Sequence, residues 1–301
     1  MTGANVLTDF LKIMDKNSND TEYRALALIW LDLVLKDIGG RQDGFHWRFL
    51  EAQTYFAVTA DDYDYALTTI ASDIDTTKVI HIFDRINDRT YRYVPYEVFK
   101  KAVADEGSYG GNPYIFTIYA GNLLLFPTPS FTAITGTADG TTANKLVDST
   151  ATFETNSIKV NMIATDTGTD DKALVTAVDS ETALSLNDDI FVATDTYSVA
   201  WAVFMDYVKV VSDAADSAAT ILIPDKYKTV VYDGMKMHGL QFDPEMGNPA
   251  IAGQLYEAGI QRMKVENSVN IADMGRPISH RDKHYARDID AEAFPLDDTN
   301  F

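Results

Sequence analysis

Apolar residues in the first forty positions recur three and four apart. Val6, Leu7, Phe10, Leu11 and Met14 make one such run, and Tyr23, Leu26, Ala27, Trp30, Leu31, Val34, Leu35 and Ile38 make a second; each run lines one face of a helix. Gly39 and Gly40 end the second run as C-terminal stop signals do. A third helix is predicted from about Asp43 to Tyr55, enclosing Phe45, Trp47, Phe49 and Leu50. From Tyr55 to about Ser130 the period shortens. YFAV, KVIHIFDR, RTYRYVPY, YIFTIYAG and NLLLFPTP are short, aromatic or β-branched, and parted by Asp, Gly or Pro, which predicts antiparallel strands. The stretch from Pro95 to Asp105 is helical in pattern with proline at its first turn, and Tyr91-Arg92-Tyr93 before it reads as a strand leaving its sheet.

Residues 131–198 change in composition. Thr, Ala and Asp dominate, and 11 acidic residues face three lysines and no arginine, a net charge of −8. KALVTAVDSETALSL holds two alternating runs about an Asp179-Ser180-Glu181-Thr182 turn. The stretch reads as a small β-module whose few aromatic residues predict a thin core. GNLLLFPTPS before it and YSVAWAVFMDYVKVV after it both read as long strands, so the module is expected to fill the loop of a hairpin. The expected organisation is therefore a host domain of residues 1–130 and 199–274 with residues 131–198 inserted.

Beyond that hairpin, ATILI predicts a short strand. Pro224 starts a helix carrying Tyr227, Val230, Val231, Met235 and Met237, and a further helix runs from Pro249 to about Ala272 with Ile251, Leu255, Tyr256, Ile260 and Met263 as its buried positions. Residues 275–301 show no sustained period and read as an extended arm. The fold class expected is α+β, a bundle of N- and C-terminal helices with an antiparallel sheet, plus the inserted all-β module.

Charge and candidate chemistry narrow the function. The 301 residues carry 45 Asp and Glu against 25 Lys and Arg, a net charge of −20, which argues against nucleic-acid binding by bulk charge. The absence of cysteine excludes disulfides, thiolate metal sites and cysteine nucleophiles. MTGANVLTDF lacks the flank and apolar run of a signal peptide, and no window has the apolar length of a membrane span. No nucleophile elbow, zinc-protease, phosphate-loop or dinucleotide motif occurs, so neither an enzyme nor a cofactor is expected. His280 and His284 stand four apart as on one helix face, but Gly275 and Pro277 just before them weaken a metal site. Asp61, Asp62 and Asp64, and TDTGTDDK at 165–172, have the composition of hairpin turns and lack the calcium-loop ladder. What stands out is an acidic protein with an arm that would gain order by binding a neighbour, burying Tyr285, Phe294 and Phe301 and pairing Arg276, Arg281 and Arg287, with His284 among them.

The order of segments resembles a known family. A helical start, a Tyr-rich sheet, a strand ending at Pro127 and Pro129, the strand WAVFMDYVKVV, then Ile223-Pro224 with Tyr227 and a final helix with Tyr256, Ala258, Gly259 and Met263 is similar to the head-to-tail adaptors of tailed bacteriophages, especially short-tailed ones. The resemblance covers about three quarters of the chain; residues 131–198 depart from simpler members. It implies a structural virion protein of the neck, assembled in the host cytoplasm into a ring, commonly of twelve copies, beneath the portal protein. Such a ring would join the capsid to tail or nozzle proteins and let DNA pass without specific binding, with no membrane partner. The arm would then dock on the portal. Other expectations are a stopper, a tail terminator or a nozzle protein, or a carbohydrate-binding virion protein using Phe131, Phe153, Phe191 and Tyr197 of the module.

Overall fold

The computed structural model describes residues 1–41, 46–106, 110–242 and 247–272. Two helices open the chain, α1 (Gly3–Ile13) and α2 (Thr21–Gly40). The strands that follow are β1 (Glu51–Val58), β2 (Asp64–Ala66), β3 (Ile74–Asp84), β4 (Arg89–Thr90), β5 (Arg92–Tyr93), β6 (Gly110–Gly111), β7 (Ile115–Tyr119), β8 (Asn122–Phe126) and β9 (Thr128–Pro129). Among them lie the single turn α3 (Leu67–Ile70) and the helix α4 (Tyr96–Glu106). Strands β10 (Ile134–Thr137), β11 (Lys145–Val147), β12 (Ile163–Asp166), β13 (Lys172–Ser180), β14 (Ala183–Leu186) and β15 (Thr196–Lys209) come next. Helices α5 (Lys228–Phe242) and α6 (Pro249–Ala272) follow them. The chain is thus mixed α+β, with six helices and a large antiparallel sheet among the described residues.

Two compact units divide it, residues 43–212 and residues 1–42 with 213–301. In the helical unit, α1 buries Val6, Leu7, Phe10 and Leu11, and α2 buries Ala27, Trp30, Leu31, Val34, Leu35 and Ile38, the stripes read from the sequence. Thr2 and Asp20 cap the two N-termini with side-chain oxygens. Helix α6 departs from its expected face. Ala252, Tyr256, Ile260 and Met263 are buried, whereas Ile251 and Leu255 are more than half exposed. Small residues explain the choice, because a Cβ on Gly259 would stand 2.8 Å from Val230 of α5, so this side lets the two helices close together. ATILI forms no strand; Thr220 makes one isolated bridge to Thr2.

The β-rich unit is layered. Its nine-stranded sheet runs β11-β14-β13-β12-β15-β3-β4, with β1 and β10 also paired to β15, every pair antiparallel. A four-stranded sheet, β2-β8-β7-β5, packs on it through Phe56, Val58, Ile82, Val203, Met205, Phe116, Leu123 and Leu125. Helix α4 covers the other face of the smaller sheet, with Phe99 against Ile115, Leu124 and Phe126. Residues 138–199 hold a cluster of their own, in which Leu146, Phe153, Met162, Val175, Leu184, Phe191, Tyr197 and Val199 are buried.

Two sequence expectations fail together here. The third helix is absent from residues 51–58, which form β1 after a 3-10 turn at Arg48–Leu50. The expected hairpin of β8 with β15 is also absent, since β8 lies between β7 and β2 in the smaller sheet. Pairing decides both. Strand β15 takes β1 as its partner residue by residue, from Glu51 opposite Val208 to Val58 opposite Trp201. Strand β8 is turned back on β7 by the tight Ala120-Gly121 turn, both residues at positive φ, and β2 takes its other edge.

Candidate functional site

The segment that carried the resemblance forms the joint between the closing and opening helices of the helical unit. Ile223 and Tyr227 are buried on either side of Pro224, and a 3-10 turn over Asp225–Tyr227 leads into α5. The Met1 amino group pairs with Asp225. One turn on, Lys228 donates from Nζ to Asp9 Oδ2 of α1 at 2.6 Å, and Tyr232 Oη donates to the same oxygen at 3.3 Å. The lysine's hydrogen bond holds the Asp9 carboxyl below the usual range and pushes the Lys228 ammonium above its own.

Helix α6 is tied to the end of α2. Tyr256 Oη donates to Asp37 Oδ2 at 2.7 Å, and Arg41 donates from Nε to that oxygen at 2.8 Å and from Nη1 to Glu257 Oε2 at 2.6 Å. The guanidinium lies 5.5 Å from the Tyr256 ring centroid. Burial, then the Asp37 carboxylate, raises the Tyr256 phenol far above its ordinary value, so it stays a donor. Arg24 of α2 grips Asp216 through Nε and Nη2, and Lys36 bridges Asp32 at 2.7 Å and Asp213 at 2.8 Å, which raises its ammonium to about 12. Ion pairs as open to solvent as those of Lys36 add little to stability. Their arrangement matters more, since α6 runs on through Ala272 toward the arm.

The arm residues Arg276, Arg281, His284, Tyr285, Arg287, Phe294 and Phe301, and His280 with them, lie outside the described residues. Elsewhere the geometry is that of packing and turns. Asp166 accepts from the Gly168 amide at 2.8 Å and from Thr169 Oγ1 at 3.0 Å, closing the turn between β12 and β13. Asp62 accepts from the Asp64 amide at 3.2 Å in the turn before β2. His46 faces Glu51 at 3.1 Å, and His238 is held below its ordinary value by burial. Among the described residues no group of three or more His, Cys, Asp or Glu could hold a metal ion. Phe153, Phe191 and Tyr197 sit in the core at 0–2% exposure, and Phe131 packs edge-on to Trp201 at 6.0 Å, so these rings offer sugars no platform.

Nothing described so far converges on a reacting atom, and the ordered elements that link chain start to chain end are those of the resemblance. A family model, described as SU10 adaptor protein, matches residues 1–279. The chain belongs to the SU10 adaptor family. It is a structural adaptor protein of bacteriophages, a class whose members join other virion components. The adaptor match takes in residues 131–198 and reaches Ser279, five residues into the arm. No curated protein matches the chain. Among the described residues of this adaptor, no helix is long and apolar enough to cross a membrane.

Proposed function

We propose that the protein is the head-to-tail adaptor of a tailed phage, assembled in the host cytoplasm and placed in the virion neck as a ring of about twelve copies, the number common in the phage adaptors it resembles. The ring sits beneath the portal, joins it to tail or nozzle proteins, and lines a channel through which DNA passes. The family match over residues 1–279 is the observation that carries this reading. The net charge of −20 supports it, because an acidic lining repels phosphates where basic residues would release counterions and hold the duplex. Residues 131–198 are read as a module inserted in the adaptor body, on the outside of the ring where it cannot obstruct DNA.

The arm, residues 275–301, is the portal-docking element, with Arg276, Arg281, His284, Tyr285, Arg287, Phe294 and Phe301 making the contacts. Helix α6, anchored through Tyr256 and Arg41, delivers it. Deleting residues 275–301 is expected to leave the circular dichroism of the folded chain unchanged and to abolish co-sedimentation with portal rings. Undiminished portal binding by the truncated chain would refute the docking role. Imaging of assembled particles tests the position: density directly beneath the portal supports an adaptor, whereas density only at the tail end would make the protein a terminator or a nozzle.

A further inference from the structure

Helix α6 carries two apolar stripes, and packing within the helical unit uses one of them. Ala252, Tyr256, Ile260 and Met263 are buried. The other stripe, Ile251, Leu255 and Ala258, faces water, its first two residues 56% and 54% exposed. Their spacings of four and three are those of a coiled-coil seam, a row that receives a second segment laid along the helix. Apolar residues gathered in a row, rather than scattered singly, mark a surface that something covers. Arg262 takes the next place in the row; it pairs with Glu266 at 3.0 Å, and its side chain is 80% exposed.

Charge sets the direction of the covering segment. Helix α6 has no acidic residue in its first turn and no basic residue in its last, so its own side chains leave both ends of the helix dipole uncompensated. A segment running antiparallel to α6 compensates both ends if it begins basic and finishes acidic. The residues that follow α6 have that order. Between 275 and 287, Arg276, Arg281, Lys283 and Arg287 stand against Asp282 alone, a net +3. Between 288 and 298 there are five carboxylates and no cation. Gly275 and Pro277 supply helix stop signals at the point where the chain would reverse. From Ala272 back to Ile251 is about 32 Å at the helical rise, and the 27 residues 275–301 cover that distance without being stretched.

We infer that in the free protein residues 275–301 fold back antiparallel along α6, laying Tyr285, Ile289 and Phe294 over the stripe of Ile251, Leu255 and Ala258. The carboxylates from Asp288 onward then run from Arg262 toward the N-terminal end of the helix. The tether favours this segment over an occupant from solution, because joining the two surfaces in one chain raises their effective concentration to the order of millimolar. The contact is a latch. It covers Tyr285 and Phe294, which the portal reading needs on the docking surface, until a portal competes for them. As a property of the single chain it stands whether or not the portal is the partner.

Thiol labelling tests the fold-back, since the chain has no cysteine and Leu255→Cys would carry its only one. Maleimide is expected to label Leu255→Cys at least about fivefold more slowly in the full chain than in the same variant lacking residues 275–301. Ala25→Cys, at an exposed position of α2, should be labelled equally in both lengths. Equal rates at position 255 with and without the arm would overturn the inference. So would a slowing that the truncated chain shares and that grows with protein concentration, which would make a second copy the occupant. Added portal rings should restore fast labelling by drawing the arm away. Labelling that stays slow beside them would count against the arm as the portal contact while leaving the fold-back in place.

Discussion

Asp148 shows how a buried carboxylate can be used structurally. It is 4% exposed, yet it accepts from Tyr197 Oη at 2.8 Å, from Thr150 Oγ1 at 2.7 Å and from the Thr150 amide at 2.8 Å. Burial alone would raise its pKa; the hydrogen bonds from Thr150 and Tyr197 outweigh it and hold the carboxyl below the ordinary range. The unfolded chain therefore takes up this proton at a higher pH than the folded one. The stabilisation is fully present above the ordinary aspartate value, near about 4, and is lost as pH falls through the lower folded value. D148N is expected to be less stable than the unaltered chain at neutral pH, by about 1–3 kcal/mol, with the difference shrinking below about pH 4. Urea unfolding as a function of pH checks this, and a difference independent of pH would contradict it.

At the scale of elements, helix α5 is fitted between two neighbours. A Cβ on Gly234 would stand 2.8 Å from Val34 of α2 and 2.9 Å from the Tyr256 ring of α6. Gly234→Ala is therefore expected to destabilise the helical unit by about 1–3 kcal/mol, despite alanine's higher helix propensity, and denaturant melts would show it. A gain in stability would mean that the three helices have room to spare. Helices α1, α2, α5 and α6 and the β13–β14 hairpin were legible in the sequence, because each depends on a local period with its own caps or turn. The partner of β15 was not. QTYFAV carries β-formers but follows a run of aromatic residues at helical spacing, and only the long ladder to β15 decides in favour of a strand. Ile251 and Leu255 were misread for a similar reason: periodicity marks two candidate stripes on α6, and close approach at Gly259 selects one. The stacking of Tyr96 on Tyr119 was not legible, because the two rings come from elements 23 residues apart.

For the whole molecule, the family was legible through the order of segments rather than through any motif, because the resemblance rests on the spacing of apolar elements. The charge of −20 is likewise informative only once it is resolved into the acidic surplus of residues 131–198 and the ion pairs at the helical joint. Strand β15 adds a property of another kind. Over its 14 residues it bonds β10 and β12 with its first part and β1 and β3 with its second, and Trp201 packs into the clusters on both sides of that division. Residues 131–198 therefore have no hinge about which to melt alone. Amides of β12 and of β1 are expected to exchange with solvent deuterium through the same opening, with equal free energies and equal sensitivity to denaturant. Earlier exchange in β12 would show two independent openings. A phage lineage that lost this stretch by clean excision would also cut Thr196, Tyr197 and Ser198 from the strand that carries the large sheet, so residues 131–198 are hard to discard.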